Sequence, residues 1–212
     1  METSNYIPYL ILTTATIGWC ILHSAMISVT VTNLLQTHAG RHYRFYRLFF
    51  NLVALITLLP VIIYQHSIQT TAFFNWDGYL RLIQVTFIII GIVLFLLGAK
   101  KYDARRFFGI TQLTEGHSTK SLNATGELDI SGIHRLIRHP WYTGLLLVLW
   151  SRPLDPSTLI INSVFSTYLI IGSLLEERKL VMEFGDAYRQ YQRNVSMLLP
   201  FKWLRSKIVR KT

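Results

Sequence analysis

The densest chemistry in this sequence sits in two short clusters separated by apolar chain. His134-Arg135 and then Arg138-His139-Pro140 lead into Trp141 and Tyr142; the second cluster is Glu176-Glu177-Arg178-Lys179. Between them the chain is apolar over 141–150, turns at Pro153 and Pro156, and is apolar again over 157–175. A helical hairpin of that pattern brings both clusters to one end, because its arms begin and finish on the same side. Tyr188 and Tyr191 follow, three residues apart and so on one side of a helix. Carboxylates, imidazoles, guanidinium groups and phenols gathered where polar meets apolar surroundings suit a pocket for a water-soluble cofactor beside a lipid-facing cavity. Singly, each group has a plainer reading. Arg138 and His139 could be interfacial side chains with their heads in water, the charged quartet a solvated helix end, and the tyrosines boundary anchors. Convergence at both feet of one hairpin is what points to a site, with no metal expected in it.

The elements that position these groups are membrane helices. Half of the 212 residues are hydrophobic (51%), and they fall in uninterrupted runs of the length a bilayer requires. Residues 7–31 predict a first span, and its start does not read as a cleavable signal, since no positive charge precedes it and no small-residue cleavage site follows. Residues 48–64 predict a second span, which Pro60 kinks or ends, and 82–99 a third. The run 141–150 crosses only about half the hydrocarbon core at 1.5 Å per residue. Residues 157–175 make a full span whose helix continues through 184 towards the interface. The expected fold is therefore all-α and integral to the membrane, with about five membrane segments. Residues 1–101 form a three-span frame, and 102–212 form a catalytic region with an interfacial segment (102–113), a polar cap (115–129), the hairpin and a basic amphipathic tail, all within one structural domain. His23, inside the first span beside Ser24, reads either as a histidine bonded to a neighbouring helix or as a residue reaching into a substrate pocket. Cys20, the lone cysteine, allows no intramolecular disulfide and reads as packing.

A net charge of +10 would suit nucleic acid, but its distribution excludes that partner. The basic residues crowd the ends of apolar runs, where lipid headgroups lie. Of 21 Lys and Arg residues, only Arg81 and Arg152 fall on the side shared by the N-terminus, the 65–81 loop and the hairpin turn. The positive-inside rule then predicts a multi-pass protein with its N-terminus outside and its C-terminus and cofactor site in the cytosol. The partners implied are membrane lipids and a small or lipophilic acceptor; no obligate protein partner is evident.

Arg138-His139-Pro140-Trp141-Tyr142-Thr143-Gly144 fits an RHPxYxG pattern, and Glu176-Glu177-Arg178-Lys179-Leu180 fits EERxL. Gly185-Asp186-Ala187-Tyr188-Arg189-Gln190-Tyr191 and Leu199-Pro200-Phe201 complete the set. On these motifs the chain resembles the integral-membrane methyltransferase superfamily of isoprenylcysteine carboxyl methyltransferase. Phe108-Gly109-Ile110-Thr111-Gln112 and the 46–60 region are most similar to its branch of methanethiol S-methyltransferases and NnrU-type proteins. The strong match covers about a third of the chain and a weaker one most of it. The resemblance implies S-adenosylmethionine as cofactor, held by His134, His139, Tyr142, Gly144, Glu176, Glu177 and Leu180. Carboxylates and aromatic faces are what a sulfonium cation with an amino group requires. Methyl transfer is then an in-line displacement, in which Arg138 or Arg189 is suited by its charge to stabilise a thiolate or carboxylate acceptor, with His23, Tyr188, Tyr191 and Arg193 read on the substrate side.

The family's usual Arg-Val-Pro step reads Asn194-Val195-Ser196 here, with Arg193 one position earlier in compensation. The expected acceptor is a small or lipid-soluble thiol, methylated at sulfur. A prenylated-cysteine carboxylate or another lipid-like acceptor is the runner-up. An NADPH-dependent sterol-type reductase is less favoured, because Trp141 stands where those enzymes carry asparagine. A non-catalytic membrane scaffold would bind no cofactor at all.

Overall fold

The computed structural model describes residues 6–68, 70–99, 109–110, 113, 128 and 130–209. The interfacial segment expected over 102–113 and the cap over 115–129 fall almost wholly outside the described residues, as do Phe108, Thr111 and Gln112. Every regular element among the described residues is helical. We number the α-helices α1 (Ile7–Ile27), α2 (Val29–Ala39), α3 (Tyr46–Ser67), α4 (Leu80–Ala99), α5 (Pro140–Trp150), α6 (Pro156–Asn194) and α7 (Phe201–Val209). Ile7–Ile27, Val29–Ser67, Leu80–Ala99 and Pro156–Asn194 are each long and apolar enough to cross a membrane, and Pro140–Trp150 is a shorter apolar helix.

Two expectations about the frame are corrected. The first apolar run is not one helix: Ser28 leaves helical geometry (φ −64°, ψ 147°), and its hydroxyl accepts the Val31 amide to start α2. Nor does Pro60 end the second span, since α3 continues through it to Ser67. Within a helix in lipid, proline loses one backbone bond, a cost that other backbone and hydroxyl groups can offset. Hydroxyls do bond back to carbonyls here, Thr16 to Leu12 and Thr57 to Val53.

The chain forms two compact units. The first comprises Met1–Asn75, Asp103–Leu122 and Pro153–Phe165; the second comprises Trp76–Tyr102, Asn123–Arg152 and Ser166–Thr212. In the first, Leu12, Val61 and Ile161 make the buried core, and Trp19 donates its indole N–H to Ala54 O (3.0 Å), joining α1 to α3. Asp155 caps α6 there, one carboxylate oxygen accepting the Ser157 and Thr158 amides (2.8 and 3.1 Å), and Pro156 occupies the first helical position.

In the second unit α4 and α5 approach so closely that only glycine fits. A Cβ on Gly144 would lie 2.6 Å from Gly91 O, and one on Gly98 would lie 2.2 Å from the Trp141 ring. Small residues that let helix backbones meet are a standard device in membranes. Farther along α5, Trp150 Nε1 donates to Ser166 Oγ on α6 (2.8 Å). Eleven residues separate Trp150 from His139, and eleven separate Ser166 from Glu177. The two arms are therefore in register when His139 meets Glu177.

Helix α6 then turns on itself. Gly185 has φ 56° and ψ −129°, a conformation open to glycine and strained for other residues. Gln192 would stand roughly 22 Å from Glu177 along a straight helix at 1.5 Å per residue. Instead its side chain reaches the Glu177 carboxylate at 2.8 Å. The turn at Gly185 folds residues 186–194 back along the arm.

These glycines make a graded test by thermal melting of the detergent-purified protein. Gly144→Ala (helix contact) and Gly185→Ala (backbone strain) should each cost about 1–3 kcal/mol. Gly172→Ala, whose Cβ would meet only the Tyr142 hydroxyl at 4.0 Å, should be neutral or slightly stabilising. Equal losses at all three sites would contradict this packing.

Candidate active site

The approach to α5 is held by backbone before any side chain acts. Residues 137–139 run beside 196–198: Arg138 N donates to Ser196 O (2.9 Å), His139 N donates to Met197 O (3.0 Å), and Ile137 bridges Ser196 in parallel. Thr143, one turn into α5, donates its hydroxyl to Leu198 O (2.8 Å). Pro140 begins the helix where no N–H is required. This pairing aims Arg138 and His139 at α6.

They meet Glu177. Arg138 Nε donates to Glu177 Oε1 at 2.6 Å, and each side chain is 8% exposed. His139 Nε2 shares the same oxygen at 3.1 Å, and Gln192 Nε2 donates to Oε2 at 2.8 Å. An ionised carboxylate only accepts, so His139 carries its proton on Nε2. Burial alone would raise the Glu177 carboxyl, but hydrogen bonds from His139, Arg138 and Gln192, with the Arg138 charge, hold it down at about 2. Glu177 is thus a buried carboxylate whose oxygens are both engaged.

Arg138 is engaged as well. Its Nη1 donates to Gln192 O (3.1 Å) and to Val195 O, which ties the returning segment to the approach. Tyr191 donates to His134 O (2.6 Å), and His134 Nδ1 lies 3.2 Å from Arg138 O. Tyr191 and His134 therefore brace the approach.

Glu176 is different. It is 37% exposed, and among the described residues its one polar contact is a 3.7 Å approach to His139 Nδ1. The His139 ring is itself tilted against Tyr142 at 5.4 Å. Tyr188 is 1% exposed and packs edge-on against Tyr191. Burial and then the Glu177 charge push its phenol well above the usual range, so it stays neutral. Leu180 is half-buried one turn beyond Glu177.

The other expected residues are placed elsewhere. Arg189 is exposed and pairs with Asp186 at 3.0 Å, and Arg193 is exposed. Arg138 is bonded to Glu177 and two carbonyls, while Arg189 lies at the surface. Gly144 serves the α4–α5 crossing. His23 sits in the first unit, its ring 5.0 Å from both Trp19 and Phe50. The sequence reading missed Gln192, Thr143 and Ser196. Gln192 carries no local signal, because only the reversal at Gly185 brings it to Glu177.

Comparison with known proteins follows the same segment. A family model described as "NnrU protein" matches residues 11–196. The chain is 31% identical over 156 residues to methanethiol S-methyltransferase 1 of Bradyrhizobium diazoefficiens, covering 73% of this chain and 54% of that one. It is 28% identical over 148 residues to a methanethiol S-methyltransferase of Crocosphaera subtropica (69% and 57%). Against the Pseudomonas deceptionensis protein of that name it is 42% identical over 69 residues (32% and 26%). The chain thus spans little more than half the length of the first of these relatives. No solved structure matches it.

The network has a signature in acid. Because the folded pKa of Glu177 is depressed from 4.5 to about 2, its contribution is complete above 4.5 and is lost as pH falls towards 2. The difference in melting temperature between wild type and Glu177→Gln should therefore be widest above that window and shrink within it. A difference that does not change with pH would mean that Glu177 is not held ionised.

Proposed function

Because the chain belongs to the NnrU family, we propose that it is a membrane-embedded methyltransferase that moves a methyl group from S-adenosylmethionine to the sulfur of a small or lipid-soluble thiol. One observation carries the reading: two adjacent carboxylates at the foot of the hairpin are used in opposite ways. Glu177 is buried and consumed by Arg138, His139 and Gln192, whereas Glu176 is part-exposed and, among the described residues, makes only the 3.7 Å approach to His139 Nδ1. The similarity to proteins named methanethiol S-methyltransferase supports sulfur as the acceptor atom.

The residues fit the cofactor. A carboxylate with spare acceptor capacity beside the rings of His139 and Tyr142 is complementary to a sulfonium bearing an ammonium group. In this reading Glu176 takes the cofactor's ammonium group and Tyr142 gives an aromatic wall. Glu177 is a positioning residue that holds the His139 ring, and Arg138 acts through Glu177 and not on the acceptor. When bound, S-adenosylmethionine supplies an electrophilic methyl, which the thiol sulfur takes in one in-line displacement as the old carbon–sulfur bond breaks and the thiol proton passes to water. The protein's share is alignment in a site with little water. The substrate-side role of Arg193 belongs to this proposal too, as does a cytosolic site with the N-terminus outside.

Binding and turnover test it together. Glu176→Gln should weaken S-adenosylhomocysteine binding by about 1.5–3 kcal/mol, the range for a charge-assisted hydrogen bond, with little change in melting temperature. Sealed inside-out vesicles given S-adenosylmethionine should methylate methanethiol or a longer alkyl thiol, and sealed right-side-out vesicles should not. Wild-type affinity in Glu176→Gln would remove it from the site. Methylation of a farnesylated cysteine and of no free thiol would move the acceptor to a carboxylate, and NADPH binding without S-adenosylhomocysteine binding would replace the methyltransferase.

A further inference from the structure

Helix α7 is built unlike the rest of the second unit. Phe201, Leu204 and Ile208 recur at i, i+3 and i+7, so they form one stripe, and they are 66%, 45% and 68% exposed. Lys202, Arg205 and Lys207 are the charged residues of the nine, and there is no acid among them. Arg205 and Lys207 flank the stripe on either side, and the Lys207 ammonium lies 5.9 Å over the Trp203 ring. An exposed apolar stripe with basic flanks is the pattern of a helix lying in the plane of a membrane interface. Its length supports the same partner, because isolated helices under about 12 residues are marginal in water and need a surface on which to form. Charge complementarity selects an anionic surface.

The first turn of this helix is also fastened to the site. Lys202 N, one of the amides that a helix start leaves unpaired, donates to Ser196 Oγ at 2.9 Å. Lys202 Nζ donates to Gln192 O at 2.6 Å. Gln192 holds Glu177, and Ser196 O accepts the Arg138 amide. The Ser196 hydroxyl thus ties the first turn of α7 to the strand-like segment that pairs with Arg138.

We propose that α7 docks on an anionic phospholipid surface, and that docking steadies the 192–202 segment through the Lys202 bonds and so tightens ligand binding at His139 and Glu176. The docking stands on the geometry of α7 alone; the effect on ligand affinity rests on the methyltransferase reading above.

The test uses the full chain with Cys20→Ala and an environment-sensitive fluorophore on Ile208→Cys. It is placed in nanodiscs of phosphatidylcholine alone or of phosphatidylcholine with phosphatidylglycerol. Emission should shift to the blue in the anionic discs, and the shift should vanish at high salt and in Arg205→Glu/Lys207→Glu, since each basic residue near such a surface is worth roughly fivefold in binding. S-adenosylhomocysteine should bind several-fold tighter in anionic discs to the wild-type tail, and equally in both discs to the charge-reversed one. Equal emission in the two discs would overturn the docking, and a shift without a change in affinity would overturn the coupling. Absence of S-adenosylhomocysteine binding in every disc would be a failure of the methyltransferase reading, with emission still deciding the docking.

Discussion

A carboxylate taken out of water must be compensated or it protonates, and the second unit is arranged around meeting that demand at Glu177. Three donors from two parts of the chain converge on its oxygens: Arg138 and His139 from the entry to α5, and Gln192 from the returning end of α6. None is local to Glu177, so each contact is also a tertiary constraint. Removing one partner of such a buried pair leaves an uncompensated charge, typically at a cost of about 3–5 kcal/mol. The Arg138 bonds to Gln192 O and Val195 O extend the constraint to the 192–198 segment. That segment in turn pairs with the backbone of Arg138 and His139.

Geometry that serves this one charge explains features which otherwise look unrelated. Gly91 and Gly144 let α4 and α5 meet at backbone distance, giving the short helix a rigid neighbour. Gly185 reverses α6, without which Gln192 would lie several turns away. Among the described residues the adjacent Glu176 stays outside the network, with only a 3.7 Å approach to His139. One helix thus carries a buried, fully bonded carboxylate and a part-exposed one in consecutive positions, pointing about 100° apart around its axis.

How much of this was legible in the sequence depends on the range of the interaction. Apolar runs and their charged ends gave the membrane helices, the short arm before Pro153 and the meeting of Arg138 and His139 with Glu176 and Glu177, because periodicity and span length constrain all of these. The break at Ser28 was hidden inside a run that is apolar on both sides, where one serine makes too small a change in hydropathy to register. Pro60 misled in the other direction, since the usual cost of a mid-helix proline is relieved inside a membrane bundle. The division of labour between Glu176 and Glu177 was also out of reach: identical side chains are told apart only by which one faces Arg138. That Arg189 lies on the exposed face of the 186–194 helix, paired with Asp186, was equally hidden, because its proximity to the motif in sequence says nothing of which face it occupies.

The account turns on whether Arg138 and Glu177 act as one compensated unit, and a double-mutant cycle on thermal or denaturant stability measures that directly. Arg138→Met and Glu177→Leu are each predicted to destabilise the purified protein strongly, by leaving the partner charge buried and alone. Together they should cost far less than the two losses added, because the apolar pair leaves neither charge behind. Losses that simply add would contradict the central claim.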